Sequence, residues 1–130
     1  MVAAQANETF AAKIFSIDLK SKSESPVVAY STETFHVAHN KWETKAPIRT
    51  LIPYEEAGKN YLVGAFTCTP IVKYNLDDMK EDSKVKGTSL IELGNGNEPK
   101  DMFVYEKGGK KYILMNTFRF FHVFRVLRCF

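Results

Sequence analysis

The sequence predicts an all-β chain of antiparallel strands, and three observations support this fold class. Aromatic residues make up 13% of the 130 residues, with ten Phe and six Tyr, and these residue types favour strands. Short apolar runs are bounded by turns rich in glycine and charge, whereas only residues 76–80 suggest a turn of helix. The third observation is a repeat of about 51 residues, in which each copy has the pattern of a strand meander.

The repeat becomes visible when residues 50–76 are aligned with residues 101–127, which match without a gap. Apolar residues face apolar residues along both copies, and several residues are identical. The identical pairs include Tyr54/Tyr105, Glu55/Glu106, Gly58/Gly109, Lys59/Lys110, Tyr61/Tyr112, Val72/Val123 and Leu76/Leu127.

Each copy divides into three strands in the same way. A first strand ends at Tyr54 or Tyr105, and the polar turn that follows contains glycine, which supplies the positive φ that a hairpin turn requires. The recurring tyrosines predict packing between sheets, where an aromatic ring buries a large area. The predicted second strands cover residues 61–67 and 112–118, and the predicted third strands cover residues 71–76 and 122–127.

A partial earlier copy precedes the two complete ones, because residues 14–19 resemble residues 71–76. Residues 35–38 and 89–93 are candidates for a fourth strand in each unit. We therefore divide the chain into a first, partial unit (about 8–45), a middle unit (about 46–97) and a last unit (about 98–130). Four antiparallel strands in a period near 50 residues are typical of a β-propeller blade, which predicts a partial ring of blades. The alternative is a small β-sandwich.

Composition excludes several classes of protein. The net charge is only +3, and the lysines are dispersed among acids and glycines, which argues against binding of nucleic acid. The sequence contains no run of 18 apolar residues, so it predicts no membrane span. The two cysteines, Cys68 and Cys129, form no CxxC motif, and whether they pair is open. The first residues lack the basic and apolar regions of a secretion signal.

Three segments carry a resemblance to a known group of proteins. Residues 39–50 (HNKWETKAPIRT), 68–73 (CTPIVK) and 92–102 (ELGNGNEPKDM) resemble the C-terminal blades of bacterial secreted β-propeller proteins, in the NHL-like, YVTN-like and quinoprotein-like group. The resemblance covers about residues 35–117. It implies an extracytoplasmic, periplasmic or secreted protein with further blades upstream. The phenylalanine-rich end, residues 118–130, departs from the group and is interpreted as a closing strand or as a change of reading frame.

His36 and His39 form an H-x-x-H pair that suggests a metal site. Residues i and i+3 of a strand point to opposite faces, so both imidazoles can bind one ion only if a turn intervenes, and Asn40 makes such a turn feasible. Cys68 or His122 would be a third ligand, since imidazole and thiolate suit copper or zinc. The alternative is that His36 is a half-buried strand residue, His39 begins a loop and Cys68 is a small core residue.

A second candidate site is a polar rim around a propeller channel. First strands line such a channel, and Asp101 lies in one of them, so Arg49, Glu92, Asn97 and Asp101 are candidate ligand-binding residues. The alternative is that these four side chains tie the loops between blades together by hydrogen bonds.

These observations favour a non-catalytic binding or scaffold module that presents its loops to a partner. Because a ring needs more blades than this chain has, the expected partner is another protein or further copies that complete the ring. The alternative function is part of a metal- or quinone-dependent redox enzyme, with His36, His39 and Cys68 near the cofactor. A non-functional fragment is the third interpretation.

Overall fold

The computed structural model describes residues 2–5, 12–18, 20, 28–44, 47–67, 70–80, 83–94, 97–118 and 121–125. These residues form eleven strands and two single-turn 3-10 helices, so the prediction of an all-β chain is confirmed. The 3-10 helices cover Val37–His39 and Leu76–Asp78. The strands are β1 (Val2–Gln5), β2 (Ala12–Ser16), β3 (Val28–His36), β4 (Lys41–Glu43), β5 (Ile48–Glu56), β6 (Lys59–Phe66), β7 (Pro70–Asn75), β8 (Lys84–Glu92), β9 (Pro99–Lys107), β10 (Lys110–Thr117) and β11 (Phe121–Arg125).

The strands form an eight-stranded curled sheet and a three-stranded sheet. The curled sheet has the order β1-β2-β3-β8-β7-β6-β5, and β4 pairs with β3. Within it, β5 to β8 form the four-stranded antiparallel meander expected for the middle unit. The three-stranded sheet has the order β11-β10-β9 and belongs to the last unit.

A short parallel joint connects the first unit to the middle unit. Residues Ser31–Thr34 of β3 pair in parallel with Lys84–Gly87 of β8. The other edge of β3 is shared, since β2 pairs with its first half and β4 with its second half. This joint makes the sheet mixed rather than purely antiparallel, and the sequence pattern of the separate units contains no sign of it.

Two hydrophobic clusters cover the middle unit on both faces. Inside the curl, Ile14 and Tyr30 of the first unit pack with Leu62, Val72 and Tyr74 of the middle unit. On the opposite face, further side chains of the middle unit pack against the inner face of β9 and β10. This second cluster contains Tyr54, Val63, Ala65 and Ile71 on one side and Met102, Ile113 and Met115 on the other. The curled sheet therefore encloses the first cluster, and the three-stranded sheet packs on the opposite face of the middle unit.

The hairpin turns lie where the sequence predicts them, but they are shorter. Ala57-Gly58 and Gly108-Gly109 each connect two strands, and all four residues have positive φ, as a two-residue type I′ turn requires. Each turn has two residues rather than the predicted six. The first strands continue to Glu56 and Lys107, and the second strands begin directly after the turns, at Lys59 and Lys110.

The gapless alignment describes two strands of each copy but not the third. Tyr54 pairs with Tyr61 as Tyr105 pairs with Tyr112, so the first two strands share one register. In the third strand, Lys73 lies opposite Val63, whereas Val123 lies opposite Leu114. The connection before β11 is one residue shorter than the alignment implies. Val72 and Val123 are therefore not equivalent positions.

The remaining strand predictions agree in place and differ in length. Residues 35–38 were expected as a strand, but the strand ends at His36 and the 3-10 turn follows. Residues 89–92 form the second half of β8, and Leu93, the last residue of the predicted strand, lies outside it. The suggested helical turn after Leu76 is the second 3-10 turn. The division into units stays a prediction.

Candidate functional site

The two predicted metal-ligating histidines lie at the tip of a hairpin. β3 ends at His36, a 3-10 turn covers Val37–His39, and Asn40 adopts the left-handed conformation with φ 50° and ψ 41°. Strand β4 then runs back along β3, which places Glu43 opposite Thr34. The turn that the sequence required between the histidines is present, and it brings His36, His39 and Glu43 together.

The ligand atoms of these three residues all lie within 4.8 Å of one another. His39 Nδ1 lies 3.1 Å from both carboxylate oxygens of Glu43. His36 Nδ1 lies 3.4 Å from Glu43 Oε2. The two imidazole rings are stacked, with centroids 5.4 Å apart and planes at 6°. We call these three residues the His-His-Glu cluster.

His36 is buried completely, with 0% of its surface exposed. Its contact with Glu43 is not aligned as a hydrogen bond, and neither ring nitrogen has a hydrogen-bond partner among the described residues. Burial lowers the pKa of the His36 imidazole, although the carboxylates of Glu43 and Glu92 act in the opposite direction. The ring is therefore neutral at pH 7, and its unprotonated nitrogen can bind a metal ion.

The carboxylate of Glu43 is ionised at neutral pH. Partial burial acts to raise the pKa of Glu43, but hydrogen bonds with His39 and Lys41 outweigh burial and hold the pKa below its usual value. Lys41 Nζ lies 3.1 Å from Glu43 Oε1. The cluster thus combines a neutral buried imidazole, a second imidazole and a charged carboxylate.

Glu92 was predicted at the channel rim, and the structure places it beside the His-His-Glu cluster. It ends β8, and its Oε1 accepts a hydrogen bond from the backbone N–H of Val37 at 3.1 Å. Its Oε2 is buried without a hydrogen-bond partner among the described residues. Cys68, the third predicted metal ligand, lies outside the described residues.

The other three rim residues lie on two different strands and in the connection before β9. Arg49 on β5 and Asp101 on β9 are exposed, and Asp101 Oδ1 accepts a hydrogen bond from the backbone N–H of Met102. Asn97 is half-buried, and its Nδ2 donates to the carbonyl of Leu93 at 2.7 Å. Within the described ranges, no hydrogen bond or ion pair joins two of the four rim residues. The rim stays a prediction.

The last unit carries an aromatic face that no described residue covers. Phe103 and Tyr105 alternate with the buried Met102 on β9 and lie opposite Leu114 and Tyr112 of β10. The rings of Tyr105 and Tyr112 stack with centroids 5.3 Å apart, and Phe103 is 53% exposed. We call Phe103, Tyr105, Tyr112 and Leu114 the outer face.

Sequence reasoning missed Glu43 and the outer face. Glu43 follows His39 by four residues, and a hairpin around Asn40 would have suggested that it folds back toward the histidines. The outer face was hidden because the recurring tyrosines were all assigned to packing between sheets. Tyr54 does pack in this way, whereas Tyr105 lies on the uncovered side.

Comparison with known proteins gives no further identification. No protein-family description, curated protein or solved structure has a significant match to this chain. In the part of the chain that the structure describes, no helix has the length and apolar character needed to cross a membrane.

Proposed function

We propose that this chain is a non-catalytic binding module of the β-propeller type, which binds a second copy of itself through the outer face. The observation that supports the proposal is that the sheet of the middle unit packs against apolar side chains on both of its faces. Among the described residues, the last unit packs in this way on one face only. An uncovered apolar face of this kind is typical of a site for protein binding.

The repeat suggests what the outer face binds. Its four residues, Phe103, Tyr105, Tyr112 and Leu114, each follow a residue of the middle unit by 51 positions: Ile52, Tyr54, Tyr61 and Val63. Those four residues pack in the second cluster against the inner face of β9 and β10. The outer face therefore carries the residue types that bind another sheet of this kind within the same chain.

The first unit offers the matching sheet of a second copy. Ile14 on β2 is buried in the cluster inside the curl. Its neighbour Phe15 therefore points to the opposite face of the sheet, outside the curl. Ile17 follows and is 44% exposed. Contact between the last unit of one copy and the first unit of the next is head-to-tail. Such contacts produce a ring if the rotation closes and a filament if it does not.

The experiment compares molar mass by light scattering over a series of protein concentrations. We expect the unsubstituted chain to form oligomers and Phe103→Glu to be a monomer, because a charge on the outer face opposes its burial. Val37→Glu is the control, since Val37 is 59% exposed on a different surface. A monomeric unsubstituted chain, or oligomers that persist in Phe103→Glu, would contradict the proposal.

The resemblance to secreted β-propeller proteins belongs to the same proposal, together with the extracytoplasmic location that it implies. Negative-stain electron microscopy of the oligomer distinguishes a closed ring from a filament. A ring would support the propeller type, and a filament would retain the stacking but exclude ring closure.

A further inference from the structure

We infer that His36, His39 and Glu43 form a zinc site at the tip of the β3–β4 hairpin. Two imidazoles and one carboxylate are a donor set that zinc accepts, and their ligand atoms already lie within 4.8 Å of one another. The site is independent of the outer face and of the proposed association between copies.

The burial of His36 provides a second, independent observation. Buried polar atoms in proteins are nearly always hydrogen-bonded, because an unpaired polar atom loses its interactions with water and gains nothing in return. Both ring nitrogens of the fully buried His36 are without a hydrogen-bond partner among the described residues. A zinc ion bound between His36 and Glu43 gives one of these nitrogens a partner.

The distances around Glu43 match those of a tetrahedral ion. With bonds of about 2.0–2.1 Å, two ligand atoms on one zinc ion lie about 3.3–3.4 Å apart. The observed separations are 3.4 Å between His36 Nδ1 and Glu43 Oε2, and 3.1 Å between His39 Nδ1 and the same carboxylate oxygen. Two of the three ligand pairs are therefore spaced for zinc in the structure as it stands.

Binding requires two small movements, both of exposed side chains. Zinc lies in the plane of each imidazole that binds it, so the two stacked rings cannot remain parallel. His39 is 43% exposed and can turn, whereas the buried His36 is held in place. Lys41, whose side chain is 63% exposed, must also leave the carboxylate of Glu43.

The charges near the cluster favour a divalent cation. Glu43 and Glu92 both act electrostatically on His36, and His39 and Lys41 act in the opposite direction. Three protein ligands leave one tetrahedral position for a water molecule. Copper(II) binds the same donors more tightly than zinc in general, so the copper expected from the sequence is a competitor for this site.

The experiment titrates metal-free protein with zinc chloride in an isothermal titration calorimeter. We expect one zinc ion per chain and a rise in melting temperature with zinc concentration, because zinc stabilises the folded state to which it binds. In His39→Ala and Glu43→Gln, we expect the affinity to fall by about a hundredfold or more. Changes of residues that only support a ligand already cost about 10–100-fold.

Two control variants, and a third variant that is expected to bind zinc more tightly, make the test specific. Glu98→Gln removes an exposed carboxylate elsewhere, and His122→Asn removes the remaining histidine of the chain, so both are expected to keep the affinity. Lys41→Met removes the competing cation and is expected to raise the affinity several-fold. The far-ultraviolet circular dichroism spectrum shows whether each variant is folded.

Two results would overturn the inference. One is the absence of zinc binding by the unsubstituted, folded chain. The other is an affinity that His39→Ala and Glu43→Gln leave unchanged while both proteins remain folded, since zinc would then bind elsewhere. His36→Ala is not used as the main test, because removing a fully buried ring leaves a cavity and lowers stability for that reason alone.

Discussion

The hydroxyl of Tyr74 lies 2.8 Å from the hydroxyl of Thr34, in the closed interior between the first and middle units. Tyr74 is 0% exposed and Thr34 is 1% exposed. Tyr74 belongs to β7 and Thr34 to β3, so this hydrogen bond connects the first and middle units in addition to the parallel pairing of β3 with β8.

Replacing Tyr74 with Phe tests the contribution of this hydrogen bond. We expect Tyr74→Phe to lower the free energy of unfolding by about 1–2 kcal/mol, because the Thr34 hydroxyl loses its partner inside the core. Urea titration followed by tryptophan fluorescence measures the change. Tyr105→Phe is the control. The Tyr105 ring is half-buried and its hydroxyl has no described hydrogen bond, so this substitution should change the free energy of unfolding by less than about 0.5 kcal/mol. Equal losses in both variants would contradict the expectation.

The same tyrosine predicts a loss of stability at alkaline pH. Burial raises the pKa of Tyr74 to about 12, although hydrogen bonds with Thr34 and Thr32 act in the opposite direction. In the unfolded chain, the hydroxyl ionises near pH 10. Its contribution is therefore complete below about pH 10 and is lost as the pH rises to about 12, by roughly 2–3 kcal/mol in total.

The measurement is the free energy of unfolding of the unsubstituted chain and of Tyr74→Phe at several alkaline pH values. The unsubstituted chain should lose stability more steeply with pH, since Tyr74→Phe cannot ionise at this position. Burial also raises the pKa of Tyr54, but Tyr54 is present in both proteins and its effect cancels. An equal dependence of the free energy of unfolding on pH in the two proteins would show that the pKa of Tyr74 is not raised.

Gly87 is required where β8 passes Tyr74. A Cβ atom at Gly87 would overlap Val72 Cγ1 and would lie 2.6 Å from Tyr74 Cε1, and both of these side chains are fully buried. We expect Gly87→Ala to lower the free energy of unfolding by about 1–3 kcal/mol, as overpacking of a core does. Thermal unfolding by circular dichroism measures the loss.

Gly64→Ala is the matched control for Gly87→Ala. Gly64 is also a buried strand glycine of the middle unit, but the nearest atom to its added Cβ is Ile48 Cγ2 at 3.4 Å, an ordinary contact distance. We expect a change below about 1 kcal/mol. If Gly64→Ala were as destabilising as Gly87→Ala, the effect would belong to strand glycines in general and not to contact with Tyr74.

The hairpin turn at Ala57 can be improved. Ala57 has φ 50°, a conformation that costs an alanine about 1–2 kcal/mol, whereas asparagine tolerates it. We expect Ala57→Asn to raise the free energy of unfolding by about 0.5–1 kcal/mol, because Asn-Gly is the preferred pair in a type I′ turn. Chemical denaturation measures the gain. Ala38→Asn, at an exposed alanine without positive φ, should give none.

Local patterns were sufficient to predict the hairpins and insufficient to predict how the units join. The alternation around Tyr54 and Tyr105, and the glycines after them, determine two paired strands and the turn between them. The parallel pairing of Ser31–Thr34 with Lys84–Gly87 depends on packing between units, which no local pattern contains. The displacement of β11 by one residue depends on the length of one connection, and the gapless alignment concealed it.

The candidate metal site was predictable to a similar extent. The spacing of His36 and His39 indicated a shared ligand site if a turn intervened, and that turn is present. The complete burial of His36 depends on the curl of the sheet, because Phe66 of β6 packs against its ring with centroids 6.4 Å apart. The role of Glu43 depends on strand β4, which returns along β3 after this turn and which the sequence analysis did not predict.

The parallel joint also has a consequence for the order in which the chain folds. The hairpins β5–β6 and β9–β10 close over two residues each, whereas β3 and β8 must meet across about fifty residues, and such distant pairings form slowly. We expect β3–β8 pairing to follow the hairpins. Hydrogen-exchange labelling during refolding would show late protection of Thr32 and Val85, and early protection there would exclude this order.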